Sequence, residues 1–119
     1  MSFRVFQTAW FAKASRRIGL TDATLWRAVE EAARGQADDL GGGVYKKRLS
    51  RNQHRAILLA KAGEFWVYVY LFAKQDRANI DDAELTAFRH LGALYRKKTD
   101  ADLEAELRLG VLKEIKGDE

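Results

Sequence analysis

The chain has 119 residues, with 21 Lys and Arg against 17 Asp and Glu and a formal net charge of +4. This length provides one hydrophobic core and argues against two independent domains. The chain contains no Cys, which excludes disulfides, thiolate nucleophiles and Cys-based zinc sites. The longest apolar run, residues 65–73, is half of a membrane-spanning helix, and residues 1–8 have no apolar stretch of signal-peptide length. We therefore expect a small, basic, cytoplasmic protein with a single domain over residues 1–119.

The N-terminal part of the chain predicts a short strand followed by two helices. Residues 3–5 alternate apolar and polar side chains as a strand does, and residues 8–17 carry apolar side chains at helical spacing. Thr21 or Asp22 caps the second helix, whose acidic start suits the positive end of a helix dipole. Gly35 ends this second helix.

The centre of the chain changes to the alternation of strands. Three strands are predicted over residues 44–50, 55–61 and 65–74, and Ala62-Gly63 forms a tight turn between the last two. The third strand is apolar on both faces, which is typical of a strand inside a sheet. Its even positions form an aromatic stripe that either stacks nucleobases or belongs to the core, and the apolar strand favours the core. The stripe consists of Trp66, Tyr68, Tyr70 and Phe72.

The C-terminal part of the chain predicts two further helices. Asp81 or Asp82 caps the third helix, and Asp100 caps the fourth, whose apolar positions continue to Leu112. Residues 100–119 are thus predicted as a C-terminal helical extension. The order of elements predicts an α+β fold, in which two N-terminal helices pack on one face of a small antiparallel sheet and C-terminal helices follow.

Positive charge is concentrated in the first two thirds of the chain. Residues 1–77 contain 14 Lys and Arg against 7 Asp and Glu, whereas residues 78–119 contain 7 against 10. The densest basic stretch, residues 46–55, has no acidic residue. This distribution indicates either an anion-binding surface or a solvated face that keeps the protein soluble.

Strand alternation sorts these basic side chains. Lys46 and Arg48 share one face of their strand, and Lys47 points to the other face. Arg55 opens the next strand, so we expect it beside Arg48 across the hairpin. Arginine binds phosphate through two parallel hydrogen bonds, so such a group fits a phosphodiester ligand. Three more basic side chains are expected to converge on the same end of the sheet: Lys61, Lys74 and Arg77.

Other catalytic groups are few. His54 adjoins Arg55 and is a candidate general base, although a histidine in a loop is most often a solvated surface residue. His90 is interpreted as structural. The spacing around neither histidine predicts a metal site, and we expect no metal and no cofactor. Residues 41–43 are glycines without the Lys-Ser/Thr of a nucleotide-binding loop.

Four segments resemble the RelE/ParE superfamily of bacterial toxins, and within it the HigB-like branch. These segments are WFAKASRRIGLTDATLWRAVEEAARG, LGGGVYKKRLSR, HRAILLAK and WVYVYLFAKQDRANI. The most specific motif is FAK followed by an acid, Arg and Asn-Ile. The resemblance covers about residues 3–95, and the order of elements in the family agrees with the order predicted above.

The resemblance implies a toxin of a type II toxin–antitoxin system that cleaves mRNA in the ribosomal A site. In that reaction, the 2′-hydroxyl of one nucleotide attacks its own 3′ phosphate and leaves a 2′,3′-cyclic phosphate. The implied partners are the ribosome with its mRNA and a helix-turn-helix antitoxin, and operator DNA is reached only through the antitoxin. Two alternatives stay open, a ParE-like gyrase inhibitor and a non-catalytic corepressor that binds its antitoxin.

The resemblance also assigns residues to these functions. Lys46 and Arg48 match basic strand positions of the family, and Arg55 matches the arginine that opens the next strand. Arg48 and Arg55 are predicted to stabilise phosphate charge, with Lys46 or His54 assisting removal of the 2′-hydroxyl proton. The predicted RNA-binding residues are Lys47, Arg51, Lys61, Lys74 and Arg77.

The sequence departs from the family at two positions. Gln75 stands where RelE toxins place a catalytic arginine, and Asp81 stands near the place of a tyrosine. We expect Lys74, Arg77 or His54 to compensate for these two changes.

Overall fold

The computed structural model describes residues 3–117. Within this part of the chain, a sheet of six strands is covered by four helices. In chain order the elements are β1 (Arg4–Thr8), α1 (Ala9–Arg17), α2 (Asp22–Ala33), β2 (Asp38–Asp39), β3 (Val44–Leu49), β4 (His54–Lys61), β5 (Phe65–Ala73), α3 (Asp82–Arg96), α4 (Asp100–Leu109) and β6 (Leu112–Ile115). The helices and strands predicted from residue 8 to residue 96 are confirmed to within one or two residues, the first strand extends three residues beyond its predicted end, and β2 is an additional short strand.

The helices begin where a side-chain oxygen accepts a backbone N–H. Thr21 caps α2, and Asp81 caps α3 in a reciprocal capping box, so one of the two residues predicted for each helix is confirmed. The prediction of Asp100 as the cap of α4 is wrong. Thr99 is the cap, because its Oγ1 accepts the Asp102 N–H at 3.1 Å while the Asp102 carboxylate accepts the Thr99 N–H at 2.9 Å.

The strands lie in the order β2-β3-β4-β5-β1-β6. β1 runs parallel to β5, and the other four neighbouring pairs are antiparallel. The predicted hairpin of β3 and β4 is confirmed, with Arg48 opposite Arg55. His54 is opposite Ala73. The loop of this hairpin, residues 50–53, therefore lies at the end of the sheet where β5 also ends.

Helices cover both faces of the sheet. On one face, Phe11 of α1 and Leu25 of α2 pack with Tyr68 of β5 in one apolar cluster. On the opposite face, Tyr95 of α3 and Leu103 of α4 pack in a second cluster with the other side of the same strands. Since β5 contributes to both clusters, its uninterrupted apolar sequence has a structural explanation.

The C-terminal part of the chain forms an unpredicted strand. α4 ends at Gly110, whose φ of 76° is left-handed, and residues 112–115 form β6. β6 pairs with β1, and its Leu112 and Ile115 are each 1% exposed. The helical extension predicted for residues 100–119 is therefore wrong for residues 112–115, and its last two residues lie outside the described part of the chain. Pairing with the open edge of β1 satisfies the backbone groups of β6 and buries both apolar side chains.

A bulge in β5 divides the predicted aromatic stripe. Ile57 is opposite Tyr70, but the next residue, Leu58, is opposite Tyr68, which leaves Val69 as an extra residue. The alternation reverses at this point. Tyr68 packs in the cluster under α1 and α2, whereas Tyr70 packs against the cluster under α3 and α4. The single stripe predicted from the even positions is therefore wrong, while the interpretation of these aromatic residues as core is confirmed for Tyr68 and Phe72, both of which are buried.

Candidate functional site

Predicted cations meet at one end of the sheet, formed by residues 48–55 and residues 73–77, which we name the hairpin end. Arg48 and Arg55 are direct cross-strand partners, and Arg55 is in turn opposite Phe72 of β5. Arg48 is exposed, and its guanidinium has no hydrogen-bond or ion-pair partner in the described part of the chain. An unpaired guanidinium on a rigid strand is free to bind an anion.

Arg55 holds the hairpin loop in place. It is 8% exposed, and its Nη1 donates to the Asn52 carbonyl at 2.9 Å and to the His54 carbonyl at 3.3 Å. Ser50, Arg51 and Asn52 have φ values of 54°, 54° and 74°, in the left-handed region that Asn tolerates but that Ser and Arg seldom adopt. The buried guanidinium supplies hydrogen bonds that stabilise this strained loop. Arg55 is therefore a positioning group as well as a cation beside Arg48.

His54 opens onto a cavity at the hairpin end. The cavity has a volume of about 490 Å³. Its wall consists of Arg51, Asn52, Gln53, His54, Ala73, Lys74 and Gln75. The His54 Nδ1 is buried and has no hydrogen-bond partner in the described part of the chain. The half-buried imidazole shares the wall of this cavity with exposed Arg51 and Lys74, so an anion bound there would lie next to it.

Lys46 and Lys47 separate onto opposite faces of β3, as strand alternation predicts. The Lys46 Nζ donates to Asn79 Oδ1 at 3.3 Å and lies 3.8 Å from the Asp38 carboxylate. Lys47 is 9% exposed, and its Nζ pairs with Glu31 of α2 at 3.0 Å. Lys46 thus remains on the face of Arg48, whereas Lys47 is used to attach α2 to the other face.

Arg77 fastens the segment after β5 onto the sheet. Its Nη1 donates to Glu84 Oε2 at 3.0 Å and to the Tyr70 hydroxyl at 3.3 Å, and its Nε donates to the Asn79 carbonyl at 3.0 Å. The guanidinium also lies over the Phe72 ring, 5.6 Å from its centroid. The hydrogen bonds from Arg77 lower the pKa of Glu84. These contacts occupy the side chain that was predicted to bind RNA.

Lys61 does not join the other cations. It is opposite Phe65, at the end of β4 away from Arg55, and its Nζ pairs with Glu64 at 3.3 Å. The expectation that Lys61 lies with the cations of the hairpin end is wrong. Arg55 is near the start of the eight-residue strand β4 and Lys61 is its last residue, so the length of the strand separates them.

The two departures from the family have different locations. Gln75 lies in the wall of the cavity, next to Lys74. Asp81 instead accepts the Glu84 N–H at 2.8 Å as the cap of α3. Asn79 and Glu84, which contact Lys46 and Arg77, are neighbours of the site that the sequence pattern does not predict. The only signal for Glu84 was its position three residues after a capping Asp.

A family model described as the RelE toxin of the RelE/RelB toxin–antitoxin system matches residues 3–115. The fold and this match define a small toxin of a toxin–antitoxin system. The chain belongs to the RelE toxin family, whose members are generally endoribonucleases and have a cognate antitoxin as partner. Neither the comparison with curated proteins nor that with solved structures gives a match. No helix within residues 3–117 is long and apolar enough to cross a membrane.

Proposed function

We propose that this toxin is a ribosome-dependent mRNA endoribonuclease of the HigB-like branch that acts in the cytoplasm. The observation that carries the proposal is the pair of arginines at the hairpin end. Arg48 is exposed and unpaired within the described residues, and buried Arg55 holds the adjoining loop in place. Lys46 lies two positions before Arg48 on the same face, and His54 precedes Arg55. His54 and Arg55 point to opposite faces of β4, so this group offers phosphate-binding cations on one face and a proton acceptor on the other, and the message would pass around the hairpin end between them.

The proposed reaction is an attack of a 2′-hydroxyl oxygen on the adjacent 3′ phosphorus. A bond forms from that oxygen to phosphorus, and the bond from phosphorus to the 5′ oxygen breaks. The 2′-hydroxyl loses one proton and the leaving 5′ oxygen gains one, so the products are a 2′,3′-cyclic phosphate and a 5′-hydroxyl. The attacked phosphate gains negative charge in the transition state, so a cation fixed in advance accelerates this step.

Each residue of the group has a proposed task. The Arg48 guanidinium contacts the phosphate, and Arg55 supports it from the neighbouring strand. Lys46 is ion-paired with Asp38 and bonded to Asn79, which fits a positioned cation that binds phosphate. We assign removal of the 2′-hydroxyl proton to His54, because a positioned imidazole is the side chain that most often serves as a general base. Arg51 and Lys74 contact the message backbone on either side.

The proposal also covers the partners. A helix-turn-helix antitoxin would hold the toxin inactive and would link it to operator DNA. The positive hairpin end favours an acidic antitoxin segment as its cover, because opposite charges steer such an association. The bound antitoxin would then cover Arg48 and Lys74 and prevent them from contacting the ribosome and its message.

Induction in cells followed by mapping of message 5′ ends tests the proposed reaction. We expect cuts confined to translated regions, and we expect Arg48→Ala to lower cleavage by about 10²–10³-fold, as loss of one transition-state donor does. Arg27→Ala, which removes an exposed arginine from α2, is the matched control and should cleave like the wild type. Growth arrest without cuts, together with inhibited gyrase supercoiling, would contradict the proposal and favour the ParE-like alternative. An absence of growth arrest would favour the corepressor.

A further inference from the structure

An exposed tryptophan stands beside the hairpin end and has no part in the site described above. Trp10 is the second residue of α1 and is 53% exposed. Its ring stacks on Tyr70, with centroids 5.3 Å apart and an interplanar angle of 21°. Tyr70 is in turn 5.9 Å from the Phe88 ring of α3. We name the Trp10–Tyr70 pair the aromatic ledge.

The exposure of Trp10 follows from where β1 ends. β1 pairs with β5 only as far as Gln7 opposite Tyr68, so the later residues of β5 have no strand on that side. α1 starts at this point. Phe11 turns into the core and stacks on Tyr68 at 4.7 Å, while its neighbour Trp10 reaches Tyr70 beyond the end of β1. One tryptophan face is thus supported by Tyr70, and much of the side chain remains open to a ligand.

The aromatic ledge is continuous with the proposed active site. A groove of about 370 Å³ runs between α1 and the end of β5. Trp10, Arg17, Tyr70 and His54 all line this groove, and His54 also lines the cavity of the hairpin end. A strand of RNA that passes His54 therefore reaches the aromatic ledge without crossing another element.

The charges around the groove suit a polyanion. Lys13 and Arg17 follow Trp10 at helical spacings of three and seven residues, and α1 contains no acidic residue. Asp76 is the one acidic residue in the wall of the groove among the residues that the structure describes. Among the described residues that line the groove, the large exposed apolar side chains are those of Trp10 and Ile18. A surface with two exposed apolar side chains among cations is better suited to a stacked nucleobase than to a helix of a partner protein, because docking a helix requires a larger apolar surface.

We propose that Trp10 stacks a nucleobase of the single-stranded message while its phosphate backbone passes His54 at the hairpin end. This inference rests on the proposed function for the identity of the ligand. An aromatic platform holds any base, because every base has a π face, so it would add affinity without sequence preference. The platform would fix the message on the α1 side of the cleaved phosphate.

Binding of a short RNA to the full chain tests the aromatic ledge. The probe is a fluorescently labelled single-stranded octanucleotide with 2′-O-methyl groups, which cannot be cleaved, and the readout is fluorescence anisotropy. We expect Trp10→Ala to weaken binding by about 5- to 100-fold and Trp10→Phe to retain most of it. Leu109→Ala, which trims another exposed apolar side chain, is the control and should bind like the wild type.

A second probe distinguishes a loss of base stacking from a nonspecific effect of the Trp10→Ala substitution on RNA binding. The same oligonucleotide without bases should bind the wild type and Trp10→Ala equally, because only stacking distinguishes the two proteins. If Trp10→Ala and Trp10→Phe both bind the complete oligonucleotide like the wild type while Arg48→Ala binds more weakly, the ledge proposal is wrong and the proposed function stands. Loss of antitoxin binding alone in Trp10→Ala would also overturn it. Stacking in the absence of any message cleavage in cells would support the ledge and contradict the nuclease.

Discussion

Arginine has opposite surroundings at two places in this sheet. At the β1–β6 edge, Arg4 donates to Glu114 at 2.9 and 3.0 Å and to Glu104 at 3.1 Å. At the hairpin end, Arg48 has no acidic partner within the described residues. The ion pairs of Arg4 attach β6 and α4 to β1, whereas Arg48, unpaired within residues 3–117, is available to bind a ligand. Residue type alone therefore does not identify an arginine that binds a ligand. Whether an arginine is available depends on which acidic residues the topology brings next to it.

The largest effect on stability is expected at the β1–β6 edge. Leu112 lies in β6, which pairs with β1, and is 1% exposed. Leu112→Ala should therefore lower the free energy of unfolding by about 2–5 kcal/mol. Leu109→Ala, three residues earlier and 78% exposed, should change it by less than about 0.5 kcal/mol. Urea unfolding of both variants measures the difference. Equal stability of the two would mean that β6 does not close the sheet in solution.

β6 also shows where sequence patterns stop being informative. Leu103 and Leu107 are buried or partly buried on α4, and Val111 and Leu112 continue their helical spacing. Only Gly110 distinguishes a continuing helix from a strand, and its left-handed φ ends α4. The open edge of β1 then selects the strand. That edge is a tertiary feature, which a local pattern does not contain.

The second prediction separates the two arginines of the hairpin end. Arg55→Met should lower the free energy of unfolding by about 1–3 kcal/mol, because the Asn52 and His54 carbonyls lose a charged donor. Arg48→Met should leave it within about 0.5 kcal/mol, because the side chain is exposed and unpaired among the described residues. Chemical denaturation measures both values. A larger loss in Arg48→Met would reverse the assignment of the positioning arginine.

The candidate site was predictable where it depends on strand alternation. The opposition of Arg48 and Arg55 and the separation of Lys46 from Lys47 both follow from the hairpin and are confirmed. The binding partner of Arg77 did not follow, because Glu84 is brought to it by the turn into α3. Residues joined through loop geometry have no periodic signal in the sequence.

The third prediction concerns acid at the β1–β6 edge. Hydrogen bonding from Arg4 lowers the pKa of Glu114 in the folded protein, so the folded state binds fewer protons than the unfolded state. The stabilisation is therefore present above the unfolded pKa of about 4.3 and is lost as the pH falls through the lower folded value. Glu114→Gln should cost about 0.2–1 kcal/mol at pH 7 and nothing at the acid end. A difference that stays constant on acidification would contradict this linkage.

The smallest effect is expected for Lys61, at the end of β4 away from Arg55. Its partner Glu64 is three residues away, and the side chains of both are partly exposed, so their ion pair contributes little to stability. Lys61→Ala should change the free energy of unfolding by less than about 0.5 kcal/mol and should leave message cleavage unchanged. Lys74→Ala, which removes a cation from the cavity wall, is its counterpart and should reduce RNA binding in the anisotropy assay. If Lys61→Ala weakened RNA binding as much as Lys74→Ala, RNA would contact both ends of β4, and the restriction of binding to the hairpin end would be wrong.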